Sequence, residues 1–227
     1  EQELMIAEIA ELYSGEQFWD DLSGEPLDTE GVKKARQEEL AEFRKHGVYK
    51  KVPVSRCLDV TGKPPIGVRW VDINKGDNVH PEYRSRLVAK ELKLDRREDL
   101  FAATPPLEAM KLLPSLAVTE GVWHRRGNEK GGKKLDFIGI KRAYFHALAR
   151  RKVFSQLPAE DQEEGMCGEL VKSMYGTRDA AQNWEHEYMQ VMEELGFKPG
   201  RVSPCTFYHA ERGVRAVVHG DDFTLLA

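Results

Sequence analysis

Ala216-Val217-Val218-His219-Gly220-Asp221-Asp222-Phe223-Thr224-Leu225-Leu226 decides the reading of this chain. Two arms of apolar residues flank a short polar insert, and Gly220 offers the backbone freedom that a tight turn needs. The segment predicts a β-hairpin with two adjacent carboxylates at its tip. Adjacent like charges beside a buried sheet repel and are costly to desolvate. Two readings fit. One is a solvated polar turn, because Gly and Asp are common turn residues. The other is a divalent-cation site, because Mg²⁺ takes a few carboxylates together with substrate phosphates.

Outward from the hairpin, residues 205–208 read as a strand joined to its first arm by a turn at Glu211-Arg212-Gly213. Residues 180–195 predict a helix with Trp184, Tyr188, Val191 and Leu195 on one stripe and Gly196 as its cap. Residues 135–140 predict a short strand, and 107–118 a helix that Pro114 kinks or restarts. Residues 29–45 predict a helix stopped at His46-Gly47. Strand patterns at 49–54, 66–73 and 83–90 predict one small antiparallel sheet over 49–94, with Arg84, Arg86 and Lys90 making its last strand basic. The glycine- and lysine-rich stretch 125–134 predicts an exposed basic loop.

The chain has 227 residues with a net charge of −4, and that balance hides an asymmetry. Residues 1–30 carry ten acids and no Lys or Arg, so the other 197 hold 34 basic against 28 acidic side chains, a net of +6. An acidic leader on a basic body raises the question of a phosphate-bearing partner. The leader itself reads as a weak amphipathic helix (Leu4, Ile6, Ile9, Leu12) and then a Gly/Pro/Asp linker. No signal peptide or membrane span is visible, and three isolated cysteines exclude a disulfide framework. An intracellular, reducing setting, cytoplasmic or nuclear, is expected.

Six segments, in order, resemble copia-type retrotransposon reverse transcriptases over roughly residues 38–227. Pro65-Ile66-Gly67-Val68-Arg69-Trp70-Val71 looks like the family's P-I-G-x-[KR]-W-V strand. Arg84-Ser85-Arg86-Leu87-Val88-Ala89-Lys90 resembles K-A-R-L-V-A-K-G. Leu100-Phe101-Ala102-Ala103-Thr104-Pro105-Pro106 is similar to the Y-x-x-T-[FY]-[SA]-P-V connection. Ile140-Lys141-Arg142-Ala143-Tyr144-Phe145-His146 resembles D-[VI]-K-x-A-[FY]-L-[NH]. Residues 172–180 resemble K-S-L-Y-G-L-K-Q-A, with Trp184 at the family's tryptophan. Val218-His219-Gly220-Asp221-Asp222 stands at Y-V-D-D. Single matches of this kind are weak, and their shared order is the signal.

The resemblance implies an α+β right-hand polymerase fold, with fingers, then a palm whose antiparallel sheet packs on helices. It divides the chain into an acidic leader or linker (1–34), a fingers-like region (35–99) and a palm-like region (100–227) that stops after the catalytic hairpin, without thumb or RNase H. The implied reaction adds deoxynucleoside triphosphates to a primer on an RNA or DNA template, with two Mg²⁺ (or Mn²⁺) ions. Asp221 and Asp222 match the paired metal-binding carboxylates. Arg86 and Lys90, and more weakly Arg84, are implied to hold the triphosphate. Tyr144 stands at the position that excludes a ribose 2′-hydroxyl, with ordinary core packing as the alternative. Tyr175, Gly176 and Arg178 match the motif supporting the nascent base pair and template. The Trp184 stripe reads as helix core.

Several positions depart from the family. Its first catalytic Asp lies four residues before the Ala of D-x-K-x-A, and counting back from Ala143 reaches Gly139. Asp136 is near but faces the other side of a strand, about 10 Å away. Severe loss of polymerase activity and a weakened metal site are therefore expected. Gly220 is expected to loosen the hairpin and remove a packing side chain. Asp179 replaces Gln and adds negative charge near a template. A decayed retroelement fragment fits these departures. The alternative is a non-catalytic nucleic-acid-binding remnant using the basic strand and the 125–134 loop on phosphates. His124, His146 and His219 lack an accompanying nucleophile motif, so a histidine hydrolase ranks low.

Overall fold

A computed structural model describes residues 17–92, 100, 102–119 and 133–227. The amphipathic helix expected within 1–16, most of the 125–134 loop and part of the 95–106 connection lie outside these residues. The architecture is mixed α and β with antiparallel sheets. The chain forms two compact units, Glu1–Leu94 with Ala149–Arg178, and Asp95–Leu148 with Asp179–Ala227. Residues 149–178, expected with the C-terminal region, thus join the N-terminal one.

The first unit opens on a hairpin of β1 (Phe18–Trp19) and β2 (Pro26–Leu27). Helix α1 (Thr29–His46) follows. Asp28 caps its start by accepting from the Gly31 N–H at 2.7 Å, and Gly47 closes it in the left-handed region. Val32, Ala35, Leu40 and Phe43 form its buried face. Then come β3 (Tyr49–Pro53), α2 (Val54–Thr61), β4 (Val68–Asn74) and β5 (Tyr83–Ala89).

The expected linker is corrected here for residues 17–34. Phe18, Leu27 and Val32 form a core cluster. Asp20 and Asp21 accept from the Asn74 and Asp72 backbone N–H groups at 2.7 and 3.0 Å. Two acids of the leader thus satisfy amides on β4 that are not paired to β5. The Asn74 amide first, and then the Ser23 and Leu22 amides of its own turn, hold the Asp20 carboxyl below its ordinary range.

The single sheet expected over 49–94 is also corrected. Among the described residues β4 pairs only with β5, whereas β3 pairs with β8 (Met166–Leu170), which in turn pairs with β7 (Phe154–Ser155). The partner of β3 lies over a hundred residues downstream, beyond the reach of a local pattern. Beneath β4, Arg36 bridges Asp72 at 2.6 Å and Glu160 at 3.2 Å, with its guanidinium stacked on the Phe18 and Trp70 rings. Burial raises the Glu160 carboxyl above its ordinary range.

The second unit is a five-stranded antiparallel sheet in the order β6 (Leu135–Gly139), β12 (Asp222–Leu226), β11 (Val214–His219), β10 (Thr206–His209), β9 (Lys198–Pro199). Alternation sends Val217 and Leu226 to one face, where α3 (Leu107–Thr119) covers them with Leu113 and Ala117. Ala216 and Val218 face α4 (Ala180–Glu194) and its Trp184, Tyr188 and Met192. The helix α3 runs through Pro114 without restarting. The expected α4 stripe is corrected as well. Val191 and Leu195 are 46% and 58% exposed, and the buried line steps by four through 184, 188 and 192. Among the described residues, no helix is long and apolar enough to cross a membrane.

Candidate functional site

The β11–β12 hairpin closes at the His219–Asp222 pair, leaving Gly220 and Asp221 as a two-residue loop. Gly220 has φ +63° and Asp221 does not enter the left-handed region, the φ signs of a type II′ hairpin turn. Trp184 donates its indole N–H to the Gly220 carbonyl at 2.8 Å. The same ring meets Tyr188 and Phe223 edge-on, at 5.7 and 6.5 Å between centroids. Trp184 is therefore both helix core and the clamp on the turn. The φ of Gly220 suits the turn, and a Cβ there would meet nothing within 4 Å.

Asp221 and Asp222 are both exposed. The β12–β6 ladder sets Asp222 directly opposite Gly139, and the Ile140 N–H donates to the Asp221 carbonyl at 2.9 Å. A Cβ placed on Gly139 would lie 3.3 Å from Asp222 Oδ1. The position four residues before Ala143 is thus the cross-strand neighbour of the paired aspartates. Asp136 sits opposite Leu225, three places along an unbroken ladder, and its carboxylate bonds Lys134 Nζ at 2.7 Å. No bulge turns it toward Asp222.

Among the described residues, no group of three or more His, Cys, Asp or Glu is arranged to hold a metal ion. Two carboxylates adjacent in sequence, with glycine as the cross-strand neighbour, are too few anionic donors for two divalent ions. The residues present do not fit the two divalent ions that the resemblance implies.

Past β6, Arg142 takes φ +52° and starts a 3₁₀ turn, Ala143–His146. A non-glycine residue in that region costs about 1–2 kcal/mol, and sequence reasoning carried no signal of it. Phe145 is fully buried and Tyr144 half-buried, packed against the Trp184 cluster. Asp179 is buried at the head of α4, where the Asn183 side-chain amide bonds it at 3.0 Å.

The remaining predicted residues belong to the first unit. Arg86 lies 4.9 Å above the Tyr175 ring centroid. Lys90 lines an open cleft of about 740 Å³ with Gly67, Arg69, Glu91 and Gln156. Arg69 is tied to Asp21 at 2.8 Å, and Arg84 is an exposed cation on β5. Gly176 has φ +84°, and a Cβ there would stand 2.0 Å from the Ala89 carbonyl oxygen. Only glycine lets this turn lie so close to β5. The Arg178 backbone N–H donates to the Glu91 carboxylate at 2.8 Å. Glu91 escaped the sequence reading. The signal was there, because Glu91 occupies the place of the glycine that ends K-A-R-L-V-A-K-G.

Comparison with known proteins accords with this arrangement. The family described as reverse transcriptase (RNA-dependent DNA polymerase) matches residues 56–225, which is most of the chain. The chain is also 24% identical over 183 residues to the Retrovirus-related Pol polyprotein from transposon TNT 1-94 of Nicotiana tabacum. That alignment takes in 77% of this chain and 13% of the relative, so the chain spans a small part of the polyprotein it matches. The chain belongs to the reverse transcriptase (RNA-dependent DNA polymerase) family, as a domain of the copia-type retrotransposon kind.

Proposed function

We propose that this chain is the fingers-and-palm part of a retrotransposon reverse transcriptase whose nucleotidyl transfer is impaired at Gly139. One observation carries the reading: the register that places Gly139 opposite Asp222. The transfer would form a bond from a primer 3′-oxygen to the α-phosphorus of a deoxynucleoside triphosphate and break the bond to pyrophosphate. Two-ion catalysis of such displacements needs carboxylates that hold both ions. With glycine in place of one of them, we derive no transfer step for this chain.

The other roles follow the resemblance. Arg86 and Lys90 would hold the triphosphate, and Tyr144 would stand against a ribose 2′-hydroxyl. Tyr175, Gly176 and Arg178 would support the nascent base pair on its template–primer. The fingers-like elements would come from the first unit and the palm sheet from the second.

Primer extension on an RNA template with Mg²⁺ or Mn²⁺ tests the proposal. The unaltered chain runs beside Gly139→Asp and a control carrying Asp221→Asn and Asp222→Asn. Loss of a residue that merely orients a metal ligand costs about 10- to 100-fold, and a direct ligand matters at least as much. Gly139→Asp is expected to exceed the unaltered chain by roughly 100-fold or more. Equal extension by the two would refute the impairment. Salt-dependent template binding with extension by neither would leave nucleic-acid binding as the activity.

A further inference from the structure

We propose that Glu91 is a positioning residue that fixes the Tyr175–Arg178 turn against the end of β5. The inference rests on the reading of Arg86 and Lys90 as triphosphate-binding groups. Three contacts join the turn to the strand. The Ala89 N–H donates to the Tyr175 carbonyl at 2.8 Å. Gly176 packs onto the Ala89 carbonyl, with no room for a Cβ. Glu91 then accepts the Arg178 N–H at 2.8 Å. That same oxygen, Oε2, also takes the Arg151 guanidinium, so a charge-assisted pair orients the carboxylate. Glu91 and Arg151 side chains are 16% and 28% exposed, so solvent screens the pair only in part.

The consequence is geometric. Lys90 precedes Glu91 directly, and its N–H donates to the Gly67 carbonyl at 2.7 Å. Arg86, on β5, lies over the Tyr175 ring of the clamped turn. Loosening Glu91 frees the turn carrying Tyr175 and Arg178 to shift relative to Arg86 and Lys90, which weakens any ligand that needs both sides. Glu91 would touch neither nucleotide nor template. Its effect would run through Arg178 and Tyr175.

The test titrates the chain with a fluorescent deoxyadenosine triphosphate. The variants are Glu91→Ala, the swap Glu91→Arg with Arg151→Glu, and Lys90→Ala. Melting temperature and amide exchange over residues 175–178 are measured alongside. Loss of one such hydrogen bond is worth about tenfold, so Glu91→Ala is expected to weaken nucleotide binding roughly tenfold and to speed exchange at Arg178. The swap keeps an ion pair but puts a guanidinium, which cannot accept a hydrogen bond, beside the Arg178 N–H. It is expected to restore the melting temperature without restoring either binding or protection. Restoration of all three would reduce Glu91 to an ordinary ion-pair partner and overturn the proposal. So would unchanged Arg178 exchange in Glu91→Ala, even if the chain bound no nucleotide. Unchanged binding in Lys90→Ala, with Arg178 exchange raised in Glu91→Ala, would instead overturn the triphosphate reading and leave the clamp standing.

Discussion

Replacing Gly139 by Asp puts a carboxylate opposite Asp222, and the structure sets the size of the effect. The new Cβ would start 3.3 Å from Asp222 Oδ1, so the two carboxylates would lie a few ångströms apart. At about 5 Å in a solvent-exposed setting, their repulsion is about 1 kcal/mol. Removing a glycine from a strand returns about 0.5–1 kcal/mol. Without metal, the variant should therefore melt within a few degrees of the parent. With a divalent ion at a hundred times its dissociation constant, binding contributes about 2.7 kcal/mol. For a chain of this size each kcal/mol moves the midpoint by about 2–4 °C, so the expected rise is roughly 5–10 °C. The assay is thermal melting in MnCl₂ against EDTA at matched ionic strength, with the parent and Asp222→Asn as controls. The parent should move by much less than the variant. An equal rise in the parent would mean that Gly139 is not what limits metal binding. No rise in the variant would mean that positions 139 and 222 do not converge on one ion.

Three other perturbations are sharply defined. Trp184→Phe keeps the aromatic packing but leaves the Gly220 carbonyl without its indole donor. It should cost about 1–3 kcal/mol, read as a lowered melting temperature, and a midpoint unchanged within error would remove the clamp. Gly176→Ala forces a Cβ to 2.0 Å from a backbone oxygen at a φ of +84°. A loss of at least about 3 kcal/mol is expected in denaturant unfolding, and a mild effect would mean that the turn is not held against β5. Acid unfolding tests Glu169, whose carboxyl is lowered to about 2 by hydrogen bonds from Arg56 and Lys152. Its contribution is present above the ordinary Glu value near 4.5 and is lost as pH falls toward 2. Glu169→Gln should flatten that limb, and salt should shrink the difference because Arg56 and Lys152 are themselves 51% and 65% exposed.

The hairpin was legible because two apolar arms, a glycine and a carboxylate pair all act within eleven residues. Helix α1 was legible at its end, where His46-Gly47 marks the stop, and the structure adds Asp28 as its cap. The β3–β8 pairing was not, because its register joins Tyr49 to Leu170 and leaves no local trace. The role of Asp20 and Asp21 was hidden by their composition. A run of acids reads as solvated tail, yet these two bind backbone amides of β4. Counting back from Ala143 led to Gly139, and the register adds what counting could not: its neighbour across the strands is Asp222. The stripe on α4 failed at its far end because Trp184, Tyr188 and Met192 repeat at four-residue steps, while Val191 lies off that line.

On the proposed reading of Gly139, the sheet would persist around the position whose carboxylate is missing. Gly139 and both aspartates are exposed, and none of them belongs to the core clusters of the second unit. The hairpin is held by the Trp184 bond to Gly220 and by Val218 and Phe223 against α4. A third carboxylate opposite Asp222 would add repulsion that only a bound cation offsets. Glycine removes that repulsion, and β6 still pairs with β12 from Leu135 to Gly139 because the ladder is made by backbone groups. Selection on folding alone would therefore tolerate Gly139 and resist change at Trp184 and Gly176. The proposed metal-binding positions and the residues that hold the hairpin are therefore different ones, and a change at position 139 would leave the scaffold standing.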